Sequence, residues 1–321
     1  MISKLPILLI EAHSRCNCRC TMCDIWKTSD SRDFTAAQLE SQMETILGLG
    51  VERVVFTGGE PLMHSDLFRL CARLRGQGIQ VTLLTTGLLL ERYAAQVDEH
   101  ISDVIVSLDG PEQIHDRIRR VPGAFRMLAS GAGAVHVPAA ARSTVQKANH
   151  AVLIETAAAA REIGLQSISF LAADLTSEAF NRPEPWSPQR QSEIALTAEE
   201  CDRLEQQMDD LIANPFVIDS PAHLRRIVQL FRAHLGLAAF EAPRCNAPWV
   251  SAVLEPDGSV RPCFFHKRIG KTLAQGLNSS AAIEFRRSLD VASNEICRRC
   301  VCSLYKSVSD TSFPDFGPGL T

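Results

Sequence analysis

The sequence predicts an α/β fold: an open, partial (β/α)6 barrel followed by a small cysteine-rich domain of a β-hairpin and short helices. Three observations predict it. Apolar strand-like runs alternate with helix-like stretches across about the first 175 residues, the pattern of a parallel sheet with right-handed crossovers. Six such units are too few for a closed eight-unit barrel and suit an open one. Four cysteines, Cys16, Cys18, Cys20 and Cys23, fall within eight residues directly after the first apolar run, and a second group returns between Cys245 and Cys302. The expected division is 1–240 for the barrel core, with a loop and helical insertion at about 177–240, and 241–321 for the cysteine-rich domain.

The chain has 321 residues, 45% hydrophobic and 22% charged, with a formal net charge of -4. These are values of an ordinary soluble globular protein. The charge gives no electrostatic case for nucleic acid or an anionic membrane. No run approaches the ~20 apolar residues that span a bilayer, and no cationic-apolar leader opens the sequence. Eleven cysteines without a leader point to a reducing compartment, so the expected location is cytoplasmic.

The elements follow in order. Leu5 to Ile10 reads as a buried strand, or by periodicity alone as a short buried helix. After the cysteine loop, Thr35 is a candidate N-cap for a helix whose Leu39, Met43, Ile46 and Leu47 recur at helical spacing as far as Gly48 and Gly50. Strands are expected at Val51–Thr57, Gln80–Thr85, Asp103–Leu108, near 141–145 and at 167–171. The helices between them are expected at 66–75, 88–97, 125–132 and 151–163. Ligands of parallel α/β folds sit at the carboxyl ends of the strands. The cysteine loop, Gly58-Gly59-Glu60-Pro61, Thr86-Gly87 and Ser107-Leu108-Asp109 all lie at such ends, which argues for one active site. Asn181 to Pro188 is proline-rich and reads as a loop over the barrel mouth, with Trp186 packed as an anchor rather than facing substrate. Thr197 to Glu200 is a capping-box start for a helix through Ile212, and Pro221 to Leu235 is a further helix. His115 and Arg117 read as solvated surface groups. Cys71 and Cys201 have no thiol neighbours in sequence and read as buried packing residues. Phe313 to Thr321 is expected to be poorly ordered.

Cys16, Cys20 and Cys23 keep a C-x3-C-x2-C spacing. A loop of that length wraps three thiolates around one corner of an iron–sulfur cube and leaves the fourth iron open to a small molecule. The competing reading is a zinc knuckle, which more often uses paired C-x2-C units. The C-x3-C-x2-C loop resembles the hallmark of the radical S-adenosylmethionine (SAM) superfamily, and Gly58-Gly59-Glu60-Pro61, one βα unit later, is similar to that family's GGEP motif. The resemblance implies a [4Fe-4S] cluster on Cys16, Cys20 and Cys23 with Cys18 as an extra thiol, and SAM chelated to the open iron. It places Met22 where the family often has an aromatic residue beside the adenine, and Gly58, Gly59, Glu60 and Pro61 at the SAM amino group. Val106-Ser107-Leu108-Asp109-Gly110-Pro111 is similar to the family segment that puts Ser107 at the SAM ribose. Asp109 reads equally as a cap of the next helix. Thr86, Thr144 and Gln146 are further candidates for SAM contacts, and Thr144, Gln146 and Asn149 read equally as polar turn residues.

The later cysteines are Cys245, Cys263, Cys297, Cys300 and Cys302. Val250–Leu254 and Ser259–Arg261, joined by Pro256-Asp257-Gly258, read as a hairpin that brings Cys245 and Cys263 together. From spacing alone, structural zinc is as good a reading as iron–sulfur for a set completed by Cys297 and Cys300. Cys245, Gly258 with Cys263, and the later C-x2-C resemble the twitch or SPASM extension of radical SAM enzymes. That implies one auxiliary [4Fe-4S] cluster on Cys245, Cys263, Cys297 and either Cys300 or Cys302. The family chemistry would be reductive SAM cleavage to a 5'-deoxyadenosyl radical that takes a hydrogen from a substrate carbon. The auxiliary cluster would serve net oxidation or bond formation, with Asp174 and Cys302 as candidate catalytic residues. A small metabolite is the favoured substrate and a modified or epimerised peptide the alternative, with a flavodoxin or ferredoxin as reductant. A reading of another class is a cysteine-rich metal-binding or electron-carrier protein that does not cleave SAM.

Overall fold

The structure, a computed structural model, describes residues 1–307, so the tail from Phe313 lies outside the described residues. Six strands run in chain order: β1 (Ile7–His13), β2 (Arg53–Gly58), β3 (Gln80–Thr85), β4 (Asp103–Ser107), β5 (Ala139–Val145) and β6 (Ile168–Ala172). Each pairs in parallel with the next. Helices α1 (Ala36–Gly48), α2 (Leu67–Arg75), α3 (Ala94–His100), α4 (Glu112–Arg119), α5 (Ala124–Ala134) and α6 (Leu153–Glu162) lie between them. The sheet is open, as the six-unit count requires.

Period-2 alternation divides the strand side chains between two environments. Leu8, Ile10 and Ala12 of β1 join Val54, Phe56, Val81, Leu83, Val104 and Val106 in the core beneath the helices. Ile7, Leu9, Val55 and Leu84 point the other way and form a second apolar cluster in the barrel interior. A strand apolar on both faces therefore reads as the near-continuous run Leu5–Ile10.

One feature of the sheet lies beyond the sequence expectation. The C-terminal hairpin, β7 (Ser251–Leu254) and β8 (Val260–Arg261), does not stand apart from the barrel. β7 pairs in parallel with β1, Ile7 with Ser251 through Ile10 with Leu254, giving the order β6-β5-β4-β3-β2-β1-β7-β8. At the opposite edge Ile168 of β6 bridges Val217, so the outer side of β6 is covered as well.

The helix caps are as the sequence states. Thr35 and Gln38 form a reciprocal capping box at α1, and Thr197 with Glu200 another at α8 (Ala198–Glu205), which follows α7 (Pro188–Ile194). The helix expected through Ile212 is broken: α9 (Met208–Ala213) is separate from α8. Gln207 leaves the helical repeat to dock on α6, accepting from Leu153 N at 3.1 Å and donating to the His150 carbonyl at 2.7 Å. His115 is another correction: it is fully buried, its Nδ1 accepting from Asp109 N at 3.2 Å, while Arg117 is exposed as expected. Burial and the nearby Arg119 push the His115 imidazole down to about 3, so it is a neutral packing group. Cys71 and Cys201 are fully buried.

Candidate active site

The cysteine loop leaves β1 and is clamped from three sides. Arg19 N donates to the Arg119 carbonyl at 3.1 Å and Thr21 N to the Ile118 carbonyl at 2.9 Å, tying the loop to the end of α4. Thr21 Oγ1 donates to Gln146 Oε1 at 2.8 Å, and Arg190 of α7 donates to the Thr21 carbonyl. The third clamp is the glycine pair. Gly59 N and Glu60 N donate to the His13 and Arg15 carbonyls, each at 2.8 Å. Gly58 holds φ +113°, a Cβ there would lie 2.7 Å from the His13 carbonyl oxygen, and one on Gly59 would collide with the Arg15 carbonyl. This close approach requires glycine at both positions.

Donors point at each of the three sulfurs, while burial pushes the Cys23 thiol up to about 12. Cys18 N points at Cys16 Sγ and Ile25 N at Cys23 Sγ, both at 3.5 Å, and Arg119 Nη1 donates to Cys20 Sγ at 3.5 Å. Cys16, Cys20 and Cys23 line one cavity of about 290 Å³, and Cys18 does not. Cys18 is buried and hydrogen-bonded to Cys16 and Cys20, which drives its own thiol far up. Its bond to Cys20, with Arg119 assisting against burial, brings the Cys20 thiol down to about 7. The extra cysteine therefore supports its neighbours from behind the loop.

Of the other candidates, Met22, Gly58, Gly59, Thr86, Ser107, Thr144 and Asp174 line the cavity. Glu60, Pro61, Asp109 and Gln146 are buried behind it. Glu60 accepts from Leu62 N at 2.9 Å, Thr85 Oγ1 at 2.8 Å and Thr86 N at 2.7 Å, so its carboxylate fixes the turn. Asp109 pairs with Arg119 Nη2 at 2.6 Å and accepts from Thr144 N at 2.8 Å, so it aims the guanidinium that reaches Cys20. Asn149 donates to the Asp109 carbonyl at 3.0 Å, a polar turn role. Asp174 is held by an ion pair with buried Arg182 and by the Ser177 hydroxyl. Trp186 is 8% exposed and its Nε1 donates to Asp24 Oδ2 at 2.7 Å, so the proline-rich segment is fastened to the residue after Cys23 by a packed tryptophan.

Three residues of the site escaped the sequence reading. Glu11, on the cavity side of β1, accepts no hydrogen bond among the described residues, and burial with the charge of Glu255 pushes its carboxyl up to about 7 against Arg261 and Arg268. Arg142 reaches the cavity from β5, its side chain making one hydrogen bond among the described residues, to Ser169 Oγ at 3.3 Å. Arg119 was one arginine in a run of three, and sequence does not say which turns inward. Strand alternation would have found the first two: Glu11 shares the face of Ile7 and Leu9, and Arg142 that of Thr144.

The second cysteine group meets the same cavity from the β7 side, through Cys263 and Cys302. Burial first, and then neighbouring thiols, raise Cys263 to about 11 and Cys297 to about 12, and Cys300 well above its ordinary value. Cys245 is among the neighbours acting on all three. Buried thiols crowded in this way need a cation to hold them as thiolates. Cys302 differs, because after burial its main neighbour is Arg142, which favours the thiolate. Among the described residues no three His, Cys, Asp or Glu side chains converge closely enough for a single metal ion. Sulfur-directed N–H groups, a guanidinium on Cys20 and a glycine turn with no room for Cβ fit a cluster on Cys16, Cys20 and Cys23. The crowded thiols of the second group fit another.

Residues 10–134 match the Radical SAM superfamily, and residues 245–301 match SPASM, an iron-sulfur cluster-binding domain. Fe-coproporphyrin III synthase of Methanosarcina barkeri is 29% identical over 126 residues, 38% of this chain and 32% of that protein. GTP 3',8-cyclase of Caulobacter vibrioides is 32% identical over 139 residues, 40% of this chain and 37% of that protein. The match thus spans about a third of the length of these curated relatives. Streptococcus suis SuiB bound to precursor peptide SuiA superposes with TM-score 0.65 over 94% of this chain and 72% of that one, at 15% identity, a likeness of fold. The cysteine loop clamped on its glycine turn, the open parallel sheet and the second thiol group agree with both matches: the chain carries a radical SAM domain over residues 10–134 and a SPASM iron–sulfur domain over 245–301.

Proposed function

We propose that the protein is a radical SAM enzyme that oxidises a small metabolite, with a cluster on Cys16, Cys20 and Cys23 and an auxiliary one on Cys245, Cys263, Cys297 and Cys300. The observation that carries this reading is the shared cavity, with Cys16, Cys20 and Cys23 on one wall and Cys263 and Cys302 on another. When bound, the cluster and SAM supply a one-electron reductive cleavage that yields a hydrogen-abstracting 5'-deoxyadenosyl radical. The chain's own residues do the rest. Gly58 and Gly59 let the cysteine loop pack against the cavity wall, while Ser107 and Thr144 offer hydroxyls from β4 and β5. Leu9, Val55 and Leu84 keep the floor dry, which suppresses competing reactions of a reactive intermediate. Glu11 is the carboxylate free to accept a proton from a substrate being oxidised, since Asp174 is committed to Arg182. A small-molecule substrate is supported by the matched relatives, Fe-coproporphyrin III synthase and GTP 3',8-cyclase, which are named for small molecules.

A second reading rests on Cys302. A thiol on the cavity wall can return a hydrogen atom to a substrate radical, and the outcome is then epimerisation. Turnover in deuterated buffer separates the two: oxidation leaves no deuterium on the substrate carbon, and epimerisation places one there. The proposal as a whole is tested by anaerobic reconstitution and incubation with SAM and dithionite. Release of 5'-deoxyadenosine supports it, and a reconstituted protein that binds SAM without cleaving it overturns it.

A further inference from the structure

We infer that an acidic one-electron carrier protein docks on an arginine face outside the cysteine loop, formed by Arg19, Arg117 and Arg120. The inference rests on the radical SAM reading and assigns the surface through which its reducing electron enters. The backbone bonds from Arg19 N to the Arg119 carbonyl and from Thr21 N to the Ile118 carbonyl lay the loop against the end of α4. They set the Arg19 backbone beside the stretch that carries Arg117 and Arg120. All three side chains are exposed, and among the described residues none has an ion pair or a side-chain hydrogen bond. Arg32, Arg73 and Arg126 are neutralised by Asp30, Glu40 and Glu112, while exposed Arg69, Arg92 and Arg203 also lack an ion pair among the described residues, so it is the place beside the cysteine loop that singles this face out.

No acidic residue lies in 14–23 or in 117–121. The nearest one on α4, Asp116, is turned to the backbone, accepting from Gly123 N at 2.6 Å and Phe125 N at 2.9 Å. The local charge therefore opposes the net charge of -4, and an acidic partner repelled elsewhere is oriented to this face. Arg120 holds φ +55° at the end of α4, a conformation in which glycine or asparagine would be less strained, yet an arginine stands there. Between the exposed arginines, Arg119 turns inward to Cys20 Sγ at 3.5 Å, so the face lies one residue from a group that touches a ligand sulfur. A flavodoxin hydroquinone or a reduced ferredoxin gives up one electron here and is oxidised by one electron, while the cluster on Cys16, Cys20 and Cys23 gains it.

The test uses the reconstituted full chain and flavodoxin hydroquinone, with cluster bleaching followed by stopped flow. The second-order rate for the unaltered protein is expected to fall about tenfold between ~0.05 and ~0.5 M salt, and Arg19→Glu/Arg117→Glu/Arg120→Glu to lose a similar factor at low salt. Bleaching by dithionite stays unchanged in the variant. A variant reduced by flavodoxin at the unaltered rate, or a rate indifferent to salt, overturns the inference. If the triple variant also loses dithionite bleaching, Arg117→Gln/Arg120→Gln, which leaves the loop intact, decides: a slower flavodoxin rate supports the face and an unchanged one removes it. An unaltered protein that holds no dithionite-reducible cluster refutes the proposed function instead, and iron counting reveals this before any carrier is added.

Discussion

The two cysteine regions solve one problem by different means. The first group sits in a loop with regular scaffolding around it: the end of α4, the glycine turn after β2, Gln146 after β5 and Arg190 of α7 each fasten it. Its sulfurs receive N–H groups and a guanidinium that Asp109 aims from behind. The second group hangs on a short hairpin and a four-residue helix, Glu295–Arg298, and burial raises its thiols against the backbone N–H groups of Phe265 and His266 on Cys263, with no guanidinium hydrogen-bonded to a sulfur among the described residues. Preorganised donors hold the first site in shape before any metal arrives. The second depends on its metal for shape, as small metal-bound domains do.

The largest effects should come from removing the cysteines of each region in turn. Alanine at Cys16, Cys20 and Cys23 together should abolish 5'-deoxyadenosine release and leave about four irons. Alanine at Cys245, Cys263 and Cys297 should also leave about four irons but retain SAM cleavage, while hydrogen–deuterium exchange rises across 245–304. A cleavage loss in both variants would break the comparison.

Asp109→Asn attacks the rear of the first site. It leaves Arg119 buried without its counter-charge, and removing one partner of such a pair costs about 3–5 kcal/mol. Urea denaturation of the apo-protein is the measurement, and a loss below about 1 kcal/mol would show that Cys20 and solvent suffice as partners.

Glu11→Gln should act in the opposite direction. The folded carboxyl titrates near 7 and an unfolded one near 4.5, so the native state binds the extra proton and stability falls as pH rises between those values. The variant should therefore be more stable above pH 7 by on the order of 1–3 kcal/mol and unchanged below about pH 4.5. Thermal melts at pH 4 and pH 8 report it (both values chosen to lie about half a unit or more outside the window). Turnover with a substrate that must lose a proton should fall in the same variant.

The smallest effect is expected for Cys302→Ala. With Cys300 as the fourth ligand of the auxiliary site, this variant should keep all of its iron and its oxidation of substrate. Loss of about four irons would make Cys302 a ligand instead.

The sequence made the strand order and the shared edge of the first site readable, because a parallel sheet fixes which turns meet. The N-cap at Thr35 and the capping box at Thr197 were legible for a local reason, since each needs only a few consecutive residues. Pairing of β7 with β1 was not legible, because both partners look like ordinary apolar strands about 240 residues apart. The roles of Glu60 and Asp109 behind the cavity could not be told from roles in front of it, because one residue of rotation at a strand end separates the two. His115 read as surface because its helix is polar, and only the turn of Asp109 onto it explains its burial.

The measurement that tests the account most directly is iron and sulfide counting on the anaerobically reconstituted protein, followed by SAM and dithionite. About eight irons with release of 5'-deoxyadenosine is the predicted result. Bound zinc with intact SAM would contradict it.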